Sequence, residues 1–169
     1  SISLWLKTTV TSLSTSLYIS WATTESDNAL QMCPSDKSWT TQRLILTNGA
    51  HVTKLFEPNL NIADNKWHHV SISLSSNSNN CFWLIDNIHK DTFHCGSLSI
   101  LKTGTIVLGQ DQDSIGGGFQ SSQAFCGSIS MVRVYGSALS HATLSDLSLL
   151  ITQVPIAKFS EFQKLGSVI

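Results

Sequence analysis

The chain has 169 residues, a formal net charge of −1 and only 12% charged residues. That length fits one domain able to bury roughly 70% of its unfolded surface, and the absence of any basic cluster argues against nucleic acid as a partner. No apolar run approaches the roughly 18 residues of a membrane-spanning helix, and the first residues lack the charged start and apolar centre of a signal peptide, so direct membrane insertion is not expected and the chain reads as a soluble fragment or a mature product.

Short β-rich runs recur between clusters of Ser, Asn, Gly and Asp, the pattern of an all-β sandwich. Residues 2–8 alternate apolar and polar side chains as a half-buried strand does, and residues 17–22, 29–33, 43–47, 51–56, 67–74 and 82–86 follow as further strands of about five or six residues. Asn48-Gly49 and Asp86-Asn87 are hairpin signals, because these residue types accept the positive φ of a tight turn. In the run at 67–74, alternation buries one ring of His68-His69 and exposes the other. Among the tryptophans, Trp5, Trp21, Trp67 and Trp83 read as core, whereas Trp39 stands among polar residues and is expected to face solvent. Residues 139–151 predict one helix, with Ser140 as N-cap and Leu144, Leu147, Leu150 and Ile151 near helical spacing. No linker or repeat divides residues 1–169.

The four cysteines allow three pairings, and their even number suits an oxidising compartment. Cys81 and Cys95 flank the hairpin that turns at Asp86-Asn87, which pairs them and leaves Cys33 for Cys126; two free buried thiols are the alternative for the second pair. Neither Cys-x-x-Cys nor paired-His spacing is present for zinc. A nucleophile elbow and a His-Glu-x-x-His helix are equally absent, and the chain does not read as an enzyme.

The most informative stretch is residues 108–127, with two acids, four amides and five glycines between apolar runs. A hard cation such as Ca2+ takes roughly 6 to 8 oxygen ligands from carboxylates, amides, backbone carbonyls and water. Asp111, Asp113, Gln112, Gln120 and Gln123 supply such oxygens. Alternation sets Asp111 and Asp113 on one side and turns the Gln112 side chain away, leaving its main-chain carbonyl as its contribution. Gly116, Gly117 and Gly118 let the chain double back at positive φ. A polar hairpin loop with no ligand is the plain alternative, and spacing does not choose between them.

Leu108-Gly-Gln-Asp-Gln-Asp-Ser, Gly116-Gly-Gly-Phe, Ser122-Gln-Ala-Phe, Val132-x-Val-Tyr and Leu139-Ser, in that order, resemble the calcium-loop segment of the pentraxin family. The resemblance extends over most of the chain and weakens outside the loop. It implies an all-β, two-sheet antiparallel jelly-roll sandwich, with a short helix after Leu139-Ser and a closing strand from Val154. It also implies a single domain, 1–169, lacking a family strand before residue 2. Asp27 and Asn28 match the family's paired ligands on a neighbouring segment.

Departures from the family pattern refine these expectations. Glutamate stands in the family where Gln120 stands here, and the loss of charge weakens a second ion site. The expectation is one firm Ca2+ through Asp27, Asn28, Asp111, Gln112 and Asp113, and a second, weaker or empty, through Asp111, Asp113, Gln120 and Gln123. Ser71 replaces the family's signature cysteine, and Ser3 lies in the strand that should carry its partner. Cys33 occupies the place of an aromatic in the family's phosphocholine pocket, so phosphocholine binding is not carried over. The resemblance therefore implies a calcium-dependent, non-enzymatic, extracellular recognition or adhesion domain. It is closer to the pentraxin modules of cell-surface proteins such as adhesion G-protein-coupled receptors than to secreted pentamers. Its partner is an extracellular protein or glycan, and a homo-oligomer is expected, a dimer before a pentamer. The competing class is a laminin-G-like adhesion module in which calcium is structural or absent.

Overall fold

Alternation along the first strand, β1 (Ile2–Lys7), sends Ile2, Leu4 and Leu6 into the core and turns Ser3 and Trp5 to the opposite face. The computed structural model describes residues 1–9, 16–35, 39–48, 50–56, 60–89, 92–95 and 103–149. The closing strand expected from Val154 and the helix end at Leu150 and Ile151 lie outside them. The remaining elements are β2 (Ile19–Ala22), β3 (Leu30–Pro34), β4 (Gln42–Asn48), β5 (Ala50–Phe56), β6 (His68–Leu74), β7 (Asn80–Ile85), β8 (Ile88–His89), β9 (Phe93–His94), β10 (Thr105–Leu108), β11 (Ser128–Val134) and α1 (His141–Leu149).

These strands form two antiparallel sheets. The first runs β11-β1-β6-β7-β8, with β9 also on β7; the second runs β10-β2-β3-β4-β5. Leu4, Val70, Ile72 and Trp83 from the first sheet meet Ile19, Leu30, Met32, Leu44 and Leu46 from the second in one apolar layer, as a sandwich requires. This is the jelly-roll architecture expected, with one short helix.

Local signals place the turns. Asp86 and Asn87 both hold positive φ, 49° and 64°, and join β7 to β8 with Ile85 opposite Ile88. The β4–β5 hairpin forms with Asn48 opposite Ala50; its turn residue Gly49 lies outside the described residues. The Ser140 hydroxyl accepts the Thr143 N–H at 3.2 Å and so caps α1. The helix buries Leu144 and docks on the β7–β8 turn, where Asn87 Nδ2 donates to Ser148 Oγ at 2.7 Å.

Two expectations are corrected. Trp39 is 1% exposed, not solvent-facing. A positive φ of 59° turns its ring inward onto Phe125, and its carbonyl accepts the Gln42 side-chain N–H at 3.0 Å. His68 and His69 are both buried. His68 is held between two carboxylates, its Nδ1 on Asp86 Oδ2 at 2.6 Å and its Nε2 on Asp64 Oδ1 at 2.8 Å. His69 lies beside Trp5 on the opposite sheet face, with Nε2 at 2.9 Å from Ser3 Oγ. Alternation does separate the two rings, but each face is covered.

Candidate metal centre

The loop after β10 is closed at its neck before any ligand is considered. Gly109, at φ +76°, donates to the Tyr18 carbonyl at 3.2 Å, and its own carbonyl accepts the Phe125 N–H at 2.8 Å. Leu17 N–H donates to the Gln123 carbonyl at 3.1 Å, tying the returning limb to the second sheet. Inside the loop, Asp113 N–H donates to Gly117 O at 3.2 Å and Gly117 N–H to Ser114 O at 3.0 Å. Gly116 and Gly118 hold positive φ, +68° and +74°, whereas Gly117 does not, so only two of the three glycines serve the reversal expected of them. A side chain at Gly118 would also collide with Asp113, its Cβ lying 2.7 Å from the Asp113 Cβ.

Asp111 is the centre of the arrangement. It is buried; its Oδ1 accepts Gln31 Nε2 at 2.7 Å and the Gln112 N–H at 2.9 Å, and its Oδ2 accepts Gln123 Nε2 at 2.9 Å. The Ser20 hydroxyl stands 3.5 Å from Oδ1. Burial raises the Asp111 carboxyl above the ordinary aspartate range and the Asp113 charge adds to this, against the hydrogen bonds from Gln112, Gln31 and Ser20. The Gln31 amide also donates to Asn28 Oδ1, and Asn28 Nδ2 donates to Asp27 Oδ1 at 3.1 Å. Asp27 thus reaches the group through Asn28 and Gln31. The exposed Asp113 pairs with Gln120, whose Nε2 lies 2.6 Å from Oδ2.

Gln112 is turned away, as alternation requires. Its Nε2 donates to Ser20 O at 3.1 Å and Thr105 O at 3.0 Å, and its Oε1 accepts the Gly116 N–H at 2.8 Å. The side chain is therefore spent on bracing the loop, and the main-chain carbonyl is what remains to offer. Gln31 is the residue that sequence reasoning missed. A polar residue at the centre of a buried strand, between core residues Leu30 and Met32, was the available signal.

The donor set fits a hard cation. Every candidate ligand is an oxygen, from two carboxylates, several amides and a main-chain carbonyl, and Gln123 Oε1 is buried without a hydrogen-bond partner beside Asp111. Among the described residues no three His, Cys, Asp or Glu side chains cluster in metal-binding fashion; the group here is two aspartates supplemented by amides.

A model of the pentaxin family matches residues 1–157. The chain belongs to the pentaxin, or pentraxin, family. Human pentraxin-4 is 30% identical over 86% of this chain and 30% of its own length. C-reactive protein 1.1 of Limulus polyphemus is 32% identical over 76% of this chain and 53% of its own. The chain thus spans about a third to half of these relatives. A crystal structure of a heptameric SAP-like pentraxin from Limulus polyphemus superposes with a TM-score of 0.69 at 25% identity, covering 87% of this chain and 69% of that one. The mouse laminin alpha1 domains LG4-5 share the fold alone, at a TM-score of 0.57 and 13% identity.

Ser3 and Ser71 stand directly opposite each other across β1 and β6. Of the expected bridges, Cys81–Cys95 is present, formed where β7 pairs β9. The bridge between Cys33 and Cys126 is not: both thiols are free. Cys33 is buried on β3 under its cross-strand partner Arg43, whose Nε and Nη2 each donate to its sulfur at 3.3 Å. Cys126 is exposed in the turn before β11, its carbonyl accepting the Thr8 hydroxyl at 2.6 Å. Burial raises the Cys33 thiol pKa, opposed by Arg43 and reinforced by Asp111.

Proposed function

We propose that this pentraxin domain is a calcium-dependent, non-enzymatic recognition or adhesion module, working outside the cell within a larger surface receptor such as an adhesion G-protein-coupled receptor. The observation that carries the calcium reading is the closed loop around Asp111, with a buried unpartnered oxygen on Gln123 and carboxylates satisfied by amide N–H groups and, on Asp111, the Ser20 hydroxyl. A side-chain amide presents oxygen or nitrogen by a half-turn, so Gln31, Gln120 and Gln123 satisfy the carboxylates without a metal and can offer oxygens to one. Asp27, Asn28, Asp111, Asp113 and the Gln112 carbonyl would hold the firm ion. Gln120 and Gln123, with the same aspartates, would hold a weaker one. Bound calcium would supply a positive centre for ligand oxygens and order the loop. The disulfide between Cys81 and Cys95 supports an oxidising, extracellular setting.

Calcium calorimetry tests this directly. One site is expected, abolished by Asp111→Asn, and two tight sites or no heat at all would overturn the reading. The laminin-like fold supports a second reading, protein adhesion independent of the ion; partner binding that survives chelation favours it.

A further inference from the structure

Beside the Asp111 cluster, on the same face of the second sheet, lies a cation that the calcium reading does not use. Leu30 and Met32 of β3 point into the core, so Gln31 and Cys33 share the opposite face; Leu44 and Leu46 of β4 do the same for Arg43 and Ile45. Gln31 holds Asp111 Oδ1 at 2.7 Å, and Arg43 lies over Cys33 at 3.3 Å. Same-face neighbours on a strand stand about 7 Å apart, so Gln31 and Cys33, which meet the Asp111 carboxylate and the Arg43 guanidinium respectively, are adjacent on one face of β3. Arg43 is only half-buried and makes no ion pair with a carboxylate among the described residues. A thiol is a poor acceptor for a guanidinium, and an oxyanion offered to Arg43 would form the stronger, charge-assisted contact.

We propose that Arg43 is a second anchor for ligand, and that this domain selects small molecules with two separate oxyanion groups, one carried by the metal at Asp111 and Asp113 and the other by Arg43. The inference rests on the calcium reading, because the bare aspartates would repel the first oxyanion. It makes a distinct demand on the ligand's far end, which must be anionic and not cationic.

Three phosphate monoesters of similar shape separate these demands. Phosphoglycolate ends in a carboxylate, ethyl phosphate in a neutral methyl group and phosphoethanolamine in a cation. Titrated into the calcium-loaded chain, phosphoglycolate binds about tenfold tighter than ethyl phosphate, since a charge-assisted pair is added, and phosphoethanolamine binds weakest. Arg43→Gln makes phosphoglycolate and ethyl phosphate equal while leaving calcium affinity and ethyl phosphate binding unchanged; Arg43→Lys keeps part of the preference. Equal binding of the three esters by the native chain, no binding of any, or a preference that survives Arg43→Gln overturns the proposal. Failure of the calcium reading has a different signature: no heat on adding calcium alone, or ester binding unaffected by chelator.

Discussion

Two adjacent histidines pull stability in opposite directions with pH. Burial opposes a charge on His68, but the hydrogen bonds to Asp86 and Asp64 outweigh it and raise its pKa. Its contribution is therefore complete below the ordinary histidine value of about 6.5 and is lost as pH rises through the raised folded value. His69 is the reverse case: burial, with Arg133 adding to it and Asp86 opposing, pushes it down to about 4. Its contribution is present above about 6.5 and fades as pH falls towards the depressed value. Denaturant midpoints measured against pH should thus peak near the ordinary histidine pKa, about 6.5. His68→Gln should lower the plateau and flatten its alkaline limb; an alkaline limb unchanged by that substitution would refute the assignment. Neither environment was legible in the sequence. Alternation separated the two rings onto opposite faces, but Asp64 and Asp86 arrive beside His68 from a loop and a turn whose placement depends on the whole first sheet.

Among the elements, the β7–β9 unit was the most legible. Asp86-Asn87 announces its turn, and the turn brings the flanking cysteines together by geometry any hairpin shares. The Cys81–Cys95 bridge spans a sequence separation of 14, so reducing it or replacing both cysteines by serine should cost about 3 kcal/mol, read as a lower unfolding midpoint. A shift within error would mean the unfolded chain gains little freedom when the bridge opens. The same reasoning failed for Cys33 and Cys126. Once the first pair was chosen, the second followed only by elimination, and elimination carries no geometry. The strand pairing of Cys33 with Arg43 decided that case, and it also put a cation where a bridge was expected. Within the calcium loop, composition announced the oxygens and Gly118 announced the reversal. It could not show that Gln31, from a different strand, would reach Asp111.

Among the described residues, β5 and β10 are the outermost strands of the second sheet, and β11 and β8 those of the first, with β9 also on β7. An outermost strand can pair with a second copy through its edge. We expect a two-fold dimer, read by light scattering as twice the monomer mass with and without calcium; a five-fold or larger ring would place this domain with cyclic assemblies instead.

The sequence by itself determined the class of this protein. Period-two alternation and turn residues define strands locally, and the ordered run from Leu108 to Gly127 carries its family likeness without reference to anything distant. Only the tertiary structure decided which side chains share a site. Asp27, Asn28, Gln31, Arg43 and Asp111 lie on three segments whose meeting depends on the register of β2, β3, β4 and β10, and register is set by burial of the whole core. The loop was therefore readable as a collection of oxygens, while its partner Gln31 and its neighbouring cation Arg43 emerged only when the strands were laid side by side.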